Sequence, residues 1–194
     1  MSRNIVIYSG GIDSTALVYL QGCKSTKENP LYTISVREHF RMNKAQFKAQ
    51  TIARENYLVW AKRRKHYIIP QEIVVKGNAA VDNGLRQHHY WITLFSTCFA
   101  NGDNVFWGET SYGKSLLIKE MLEKLNTFQG IKAKHNFPFT LDNDWPDRII
   151  KANKIPRKCL HVCDKMIKGK LCGDKDICNC PKCYRISEIY GNNL

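Results

Sequence analysis

At 194 residues, 43% of them apolar, and with a mean hydropathy of −0.40, the chain has the size of one domain with a full core. Its 30 Lys and Arg against 17 Asp and Glu leave a formal charge of +13, which favours anionic partners such as nucleotides or nucleic acid. No apolar run is long enough to cross a membrane and the start lacks a basic-then-apolar leader, so a cytoplasmic protein is expected.

The first element, Asn4-Ile5-Val6-Ile7-Tyr8, reads as a strand and runs directly into Ser9-Gly10-Gly11-Ile12-Asp13-Ser14-Thr15. Two adjacent glycines permit positive φ and leave no Cβ to block an anion, while the helix expected from Ser14 to about Gln21 presents its positive end. Ser9, Ser14 and Thr15 add hydroxyl donors. Asp13 is an unusual neighbour for phosphate unless it caps the helix or holds a divalent cation.

Further strands are predicted at Leu31–Val36, at His66–Ile69 with Glu72–Val75, and at Asn104–Trp107. Helical patterning covers Asn43 to about Arg64, Leu85 to about Ala100 with a stop at Asn101-Gly102, and Ser115–Leu125. This alternation predicts an α/β fold with a mainly parallel sheet, in which ligands sit beyond the carboxyl ends of the strands. Ser9–Thr15 lies at such an end, and Ser35-Val36-Arg37 at the next strand's end is a candidate adenine wall. The basic knot Lys62-Arg63-Arg64-Lys65 reads as a solvated helix end. After Gly130 comes a helix start, with Asp144 near the cap and Pro146 in the first turn; Pro156 ends that helix.

A second phosphate-loop pattern, GxxxxGK[ST], spans Gly108-Glu109-Thr110-Ser111-Tyr112-Gly113-Lys114-Ser115. It stands late in the chain, and no strand ending in an aspartate follows it to hold a magnesium ion. The amino-terminal loop is therefore the expected nucleotide site, with Gly108–Ser115 a chance match or an auxiliary substrate loop.

Of eight cysteines, Cys23 and Cys98 are isolated and read as small buried residues, while six crowd between Cys159 and Cys183. Clustering in a reducing compartment points to metal rather than disulfides. Cys163, Cys172, Cys180 and Cys183 form a candidate tetrahedral Zn2+ site of a structural kind, clamping a tail too polar to build its own core. Cys159 and Cys178 are surplus, so the ligand set stays open. His161 is a conceivable ligand, but the simpler expectation is a solvated histidine.

Ser9–Thr15 resembles the SGGxDS signature of the PP-loop ATP pyrophosphatases. Joined to the cysteine-rich end, where Cys163, Cys172-Gly173, Cys180-Pro181-Lys182-Cys183 and Arg185 follow the same order, the chain resembles the 7-cyano-7-deazaguanine synthase family. It departs from that family in an insertion at Asp174–Cys178, in Val36-Arg37-Glu38-His39-Phe40 after the second strand, and in a Gly108–Ser115 segment without the family's substrate loop.

The resemblance implies one PP-loop domain of Rossmann-like architecture over residues 1–194, with 159–185 a zinc-bound tail. It implies an ATP-dependent ligase converting 7-carboxy-7-deazaguanine and ammonia to the nitrile through an adenylated intermediate, for queuosine-type deazaguanine synthesis. Ser9, Gly10, Gly11, Asp13, Ser14 and Thr15 would hold ATP with Mg2+. Asp13 and Ser14 would act closest to the chemistry, and Arg86 and Lys114 are secondary candidates for anionic groups. A homodimer is also implied. Rival expectations are a PP-loop enzyme modifying tRNA, a sulfonucleotide-reductase relative, and a zinc-clamped nucleic-acid-binding module.

Overall fold

The computed structural model describes residues 2–38, 44–75, 92–161, 166–167, 170–171 and 180–191. Five strands form one all-parallel sheet: β1 (Asn4–Ile7), β2 (Leu31–Glu38), β3 (Ile68–Val75), β4 (Asn104–Phe106) and β5 (Lys134–Asn136), in the order β3-β2-β1-β4-β5. The chain steps outward from β1 to β2 and β3, then crosses back to lay β4 on the other side of β1. The order reverses at β1 and β4, so their carboxyl ends frame the crevice where open parallel sheets bind ligands. The architecture is α/β and consistent with a Rossmann-like fold.

Strand alternation divides the core in two. Val6 and Tyr8 face one side with Leu31; Ile5 and Ile7 face the other with Tyr32, Ile34 and Val36. The first side is covered by α1 (Ile12–Gly22), α2 (Lys44–Lys62), α4 (Trp145–Ala152) and α5 (Pro181–Tyr190), with Leu17, Tyr57, Ile150 and Ile186 fully buried. The second is covered by α3 (Tyr112–Gln129) and the helical residues 92–96, with Phe95, Phe99, Trp107 and Leu122 interlocked. A two-residue antiparallel pair, β6 (Met166–Ile167) and β7 (Lys170–Leu171), lies in the tail.

Four points differ from expectation. The runs on either side of Pro70 are one strand, because β3 is a sheet edge and proline's missing N–H removes no bond from the β2 ladder. Strand β5, Lys-His-Asn, carries too few apolar residues to signal a strand and pairs because Val105 lies in register beside His135. Cys23 is exposed rather than buried, since it follows the last turn of α1, and Cys98 is only half-buried. Helix α3 begins three residues earlier than predicted and ends where Gly130 turns left-handed at φ 67°. Of the helix expected at Leu85–Ala100, the part before residue 92 lies outside the described residues, as does Arg86.

Candidate functional site

The segment after β1 is built to face the crevice. The N–H of Tyr8 donates to the Ile34 carbonyl at 2.8 Å, keeping the chain in the sheet up to the turn, which brings Ser9 beside the end of β2. Gly10 then takes φ +85°, a conformation that side-chain-bearing residues rarely adopt. A Cβ on Gly10 would also stand 3.2 Å from Cγ of Arg54 and 3.5 Å from the Gln50 carbonyl oxygen. Gly11 is the N-cap of α1, with no side chain capping the helix. Helix α1 therefore starts two residues before the predicted Ser14, and neither Asp13 nor Ser14 is its cap. The first-turn N–H groups of Ile12, Asp13 and Ser14 have no intrahelical acceptor and carry the helix's partial positive charge.

Hydroxyls brace the turn from within. Ser9 Oγ lies 3.0 Å from Ser14 Oγ and accepts from the Gly11 N–H at 3.3 Å, while Ser14 Oγ donates to the Gly11 carbonyl at 3.3 Å. Thr15 is fully buried beneath, near the Tyr8 hydroxyl, and neither hydroxyl completes a hydrogen bond. Burial pushes the Tyr8 phenol far above its usual range, with Thr15 opposing the shift, so Tyr8 stays protonated as a rigid floor.

Two arginines approach this turn from other parts of the chain. Arg54, on α2, is buried; its stem passes under Gly10, and its guanidinium pairs with Glu72 of β3 at 3.2 Å. Arg185, on α5, meets Asp13 through Nη2 at 2.6 Å and holds Asp147 of α4 through Nε at 3.0 Å and Nη2 at 2.5 Å. Burial alone would depress the Arg185 pKa, but its bonds to Asp147 and Asp13 outweigh it and raise the pKa, so the guanidinium is permanently charged. Asp13 is thus held by an arginine 172 positions away in sequence. Sequence reasoning placed neither Arg54 nor Asp147 at the site; no spacing rule joins α2 or α4 to the first loop.

The Gly108–Ser115 segment stands across the same crevice, at the end of β4, but has a different backbone. Its helix begins at Tyr112, so Gly113, Lys114 and Ser115 lie within α3, and none of its glycines adopts positive φ. Ser115 Oγ donates to its own helix at the Tyr112 carbonyl, 2.7 Å away, and the Ser111 N–H donates to Glu109 Oε1 at 2.8 Å. Gly108 has a structural reason: a Cβ there would stand 3.0 Å from the Ser14 nitrogen, 3.1 Å from its Cα and 3.2 Å from the Asp13 carbonyl carbon. The two loops pack backbone to backbone, and the second glycine lets the first helix start sit close.

Of the four expected zinc ligands, Cys163 and Cys172 lie outside the described residues, as does the surplus Cys178. Cys180 and Cys183 are both buried at the start of α5, and Cys180 Sγ accepts from the Cys183 N–H at 3.4 Å, the turn that presents two thiols to one ion. That half of the site suits zinc. Among the described residues no three His, Cys, Asp or Glu side chains are grouped to hold a metal. Cys159 belongs to the core instead, where burial pushes its thiol up to about 11. His161 is buried rather than solvated, and its N–H donates to the Gly10 carbonyl at 2.7 Å.

A cavity of about 530 Å³ lies elsewhere, beside the start of β3 between Leu58, Lys62, His66 and Pro70. Its walls carry no glycine turn or helix start, so the crevice, not this hollow, is the candidate site. No helix among the described residues is long and apolar enough to cross a membrane. Compared with models of known families and with curated proteins, the chain gives no match.

Proposed function

We propose that the chain is an adenylating enzyme of the PP-loop kind, and that its substrate is the carboxylate of 7-carboxy-7-deazaguanine, with ammonia as the nitrogen donor. The observation that carries this reading is the Ser9–Thr15 turn at the β1/β4 reversal, with left-handed Gly10 and α1 amides that no side chain caps. Those features suit the pyrophosphate end of ATP, which arrives as its magnesium complex.

The chemistry follows from poor leaving groups. A carboxylate oxygen attacks the α-phosphorus, pyrophosphate departs, and the acyl adenylate now carries AMP as its leaving group. Ammonia adds and AMP leaves, giving the amide. A second ATP activates the amide oxygen, whose loss with two protons yields the nitrile. The chain's own work is positional and electrostatic: first-turn amides and the Ser9 and Ser14 hydroxyls hold the β- and γ-phosphates in line, and the buried stem of Arg54, whose guanidinium pairs with Glu72, braces Gly10. Asp13 and Arg185 fix the helix start on which these donors stand. Zn2+ on the Cys180 and Cys183 side of the tail would be structural.

A tRNA substrate for the same adenylation is the second reading, favoured by the exposed Lys62–Lys65 knot. Purified protein incubated with ATP, Mg2+, ammonium and 7-carboxy-7-deazaguanine should give the nitrile with AMP and pyrophosphate by mass spectrometry. ADP with phosphate would return Gly108–Ser115 as the nucleotide loop. Absence of nitrile, together with tRNA binding that weakens steeply with salt, would favour the second reading.

A further inference from the structure

The hollow beside the start of β3 joins apolar walls to a cationic rim. Val59, Ile68 and Pro70 supply apolar wall, Tyr67 an aromatic face, and Lys62 and Lys65 the charge. Val59, Tyr67 and Pro70 are exposed, so this apolar surface meets water. Its volume of about 530 Å³ falls within the roughly 300–1,000 Å³ of small-ligand pockets. Among the described residues neither lysine has a carboxylate partner. The helix macrodipole accounts for cations at the end of α2, but not for the backbone of Lys65. Lys65 takes φ 62°, the left-handed position after a helix where glycine is usual, and its N–H donates to the Lys62 carbonyl at 3.0 Å. Glycine would close the helix with less strain; the lysine puts a charge at the hollow instead. His66 is fixed against Gly22, where a Cβ would come within 2.8 Å of Nδ1, and its Nε2 lies 3.6 Å from Cys23 Sγ. Burial, with Arg64 nearby, lowers the His66 pKa, so the ring is a neutral wall rather than a third cation.

We infer that this hollow receives one unstacked base of a single-stranded nucleic acid, with the flanking phosphates on Lys62 and Lys65. Every base offers a flat π-face to Tyr67 and every phosphate a charge to the lysines. Charge complementarity favours a polyanion over a single anionic headgroup. Arg63 extends the exposed rim beyond the hollow, and the whole chain carries a formal charge of +13. Arg64 has another task, stacking its guanidinium 3.9 Å from the centre of the Trp60 ring. A duplex keeps its bases paired and stacked and would leave the apolar walls uncovered. The hollow lies at the amino end of the sheet, where Ile68 pairs with Leu31 and Leu31 with Asn4, whereas the phosphate turn leaves the carboxyl end of β1. Occupancy of one does not block the other, and the site stands whichever substrate the crevice adenylates.

The test titrates the full chain into a fluorescein-labelled oligouridylate, a duplex RNA and polyglutamate, read by anisotropy. Tyr67→Ala should weaken oligouridylate binding about fivefold or more, the scale of one lost base–aromatic stack, and leave duplex binding unchanged. Lys62→Gln with Lys65→Gln should lower the slope of log affinity against log salt by about 1.4, at roughly 0.7 per phosphate contact. Lys124→Gln with Lys132→Gln, the same change in net charge at exposed sites elsewhere, should leave that slope unchanged. Lys65→Gly separates binding from folding: affinity should fall about threefold or more while the urea midpoint holds or rises. A 4-thiouridine in the probe should crosslink within residues 65–70. Crosslinks only outside that stretch, or equal losses from the two lysine pairs, would overturn the site. Polyglutamate bound as tightly as the oligouridylate would overturn it too and make the partner an acidic peptide. Nitrile formation is a separate readout, so a failed synthase assay leaves this site standing and a failed crosslink leaves the adenylation reading standing.

Discussion

The two glycine segments that face each other across the crevice carry similar letters and different backbones. After β1, Gly10 turns left-handed and Gly11 starts a helix that no side chain caps. After β4, the helix begins inside the motif, and its serine and lysine are spent on an ordinary first turn and on solvent. Neither helix start has a side-chain cap, so the contrast rests on the left-handed glycine that turns the chain into α1, which residue spacing alone does not determine. The second segment nonetheless matters to the first, because Gly108 lets the start of α1 sit against β4.

The sharpest way to break this contrast is at Gly10. Gly10→Ala forces a side chain into φ +85° and against Arg54, and should lower ATP affinity by on the order of tenfold or more, read by calorimetric titration. Lys114→Ala, in the rival motif, should change that affinity less than about twofold. Gly108→Ala should act on the fold instead. Its Cβ meets backbone atoms of Ser14 and Asp13 that have little room to give, so a loss of about 1–3 kcal/mol in urea unfolding is expected.

A smaller effect probes the far edge of the sheet. Burial lowers His135 to about 4, and the Trp107 indole N–H, which can only donate, points at its Nδ1 from 3.4 Å. The folded chain therefore binds fewer protons here than the unfolded one. The stabilisation is complete above the unfolded value of about 6.5 and is lost as pH falls from there toward 4. Allowing for solvent screening of a partly exposed ring, this amounts to roughly 1–2 kcal/mol. His135→Gln should flatten that part of the pH dependence of urea unfolding.

Much of the sheet was legible because parallel strands buried on both faces must be apolar, as Ile5-Val6-Ile7 and Leu31–Val36 are. The phosphate turn was legible because its glycines and hydroxyls are local in sequence. Strand β5 was not, being polar, and neither was the single strand through Pro70, whose tolerance depends on its edge position. Arg54, Asp147 and the buried place of His161 were out of reach for another reason. They arrive at the turn from α2, α4 and the tail, and only tertiary packing says which of many charged residues does so.

Amide hydrogen exchange of the intact chain, with and without magnesium ATP, tests both loops at once. The account predicts new protection at Ile12–Ser14, whose amides have no intrahelical acceptor, and little change at Ser111–Ser115. Protection confined to Ser111–Ser115 would contradict it and place the nucleotide on the second loop.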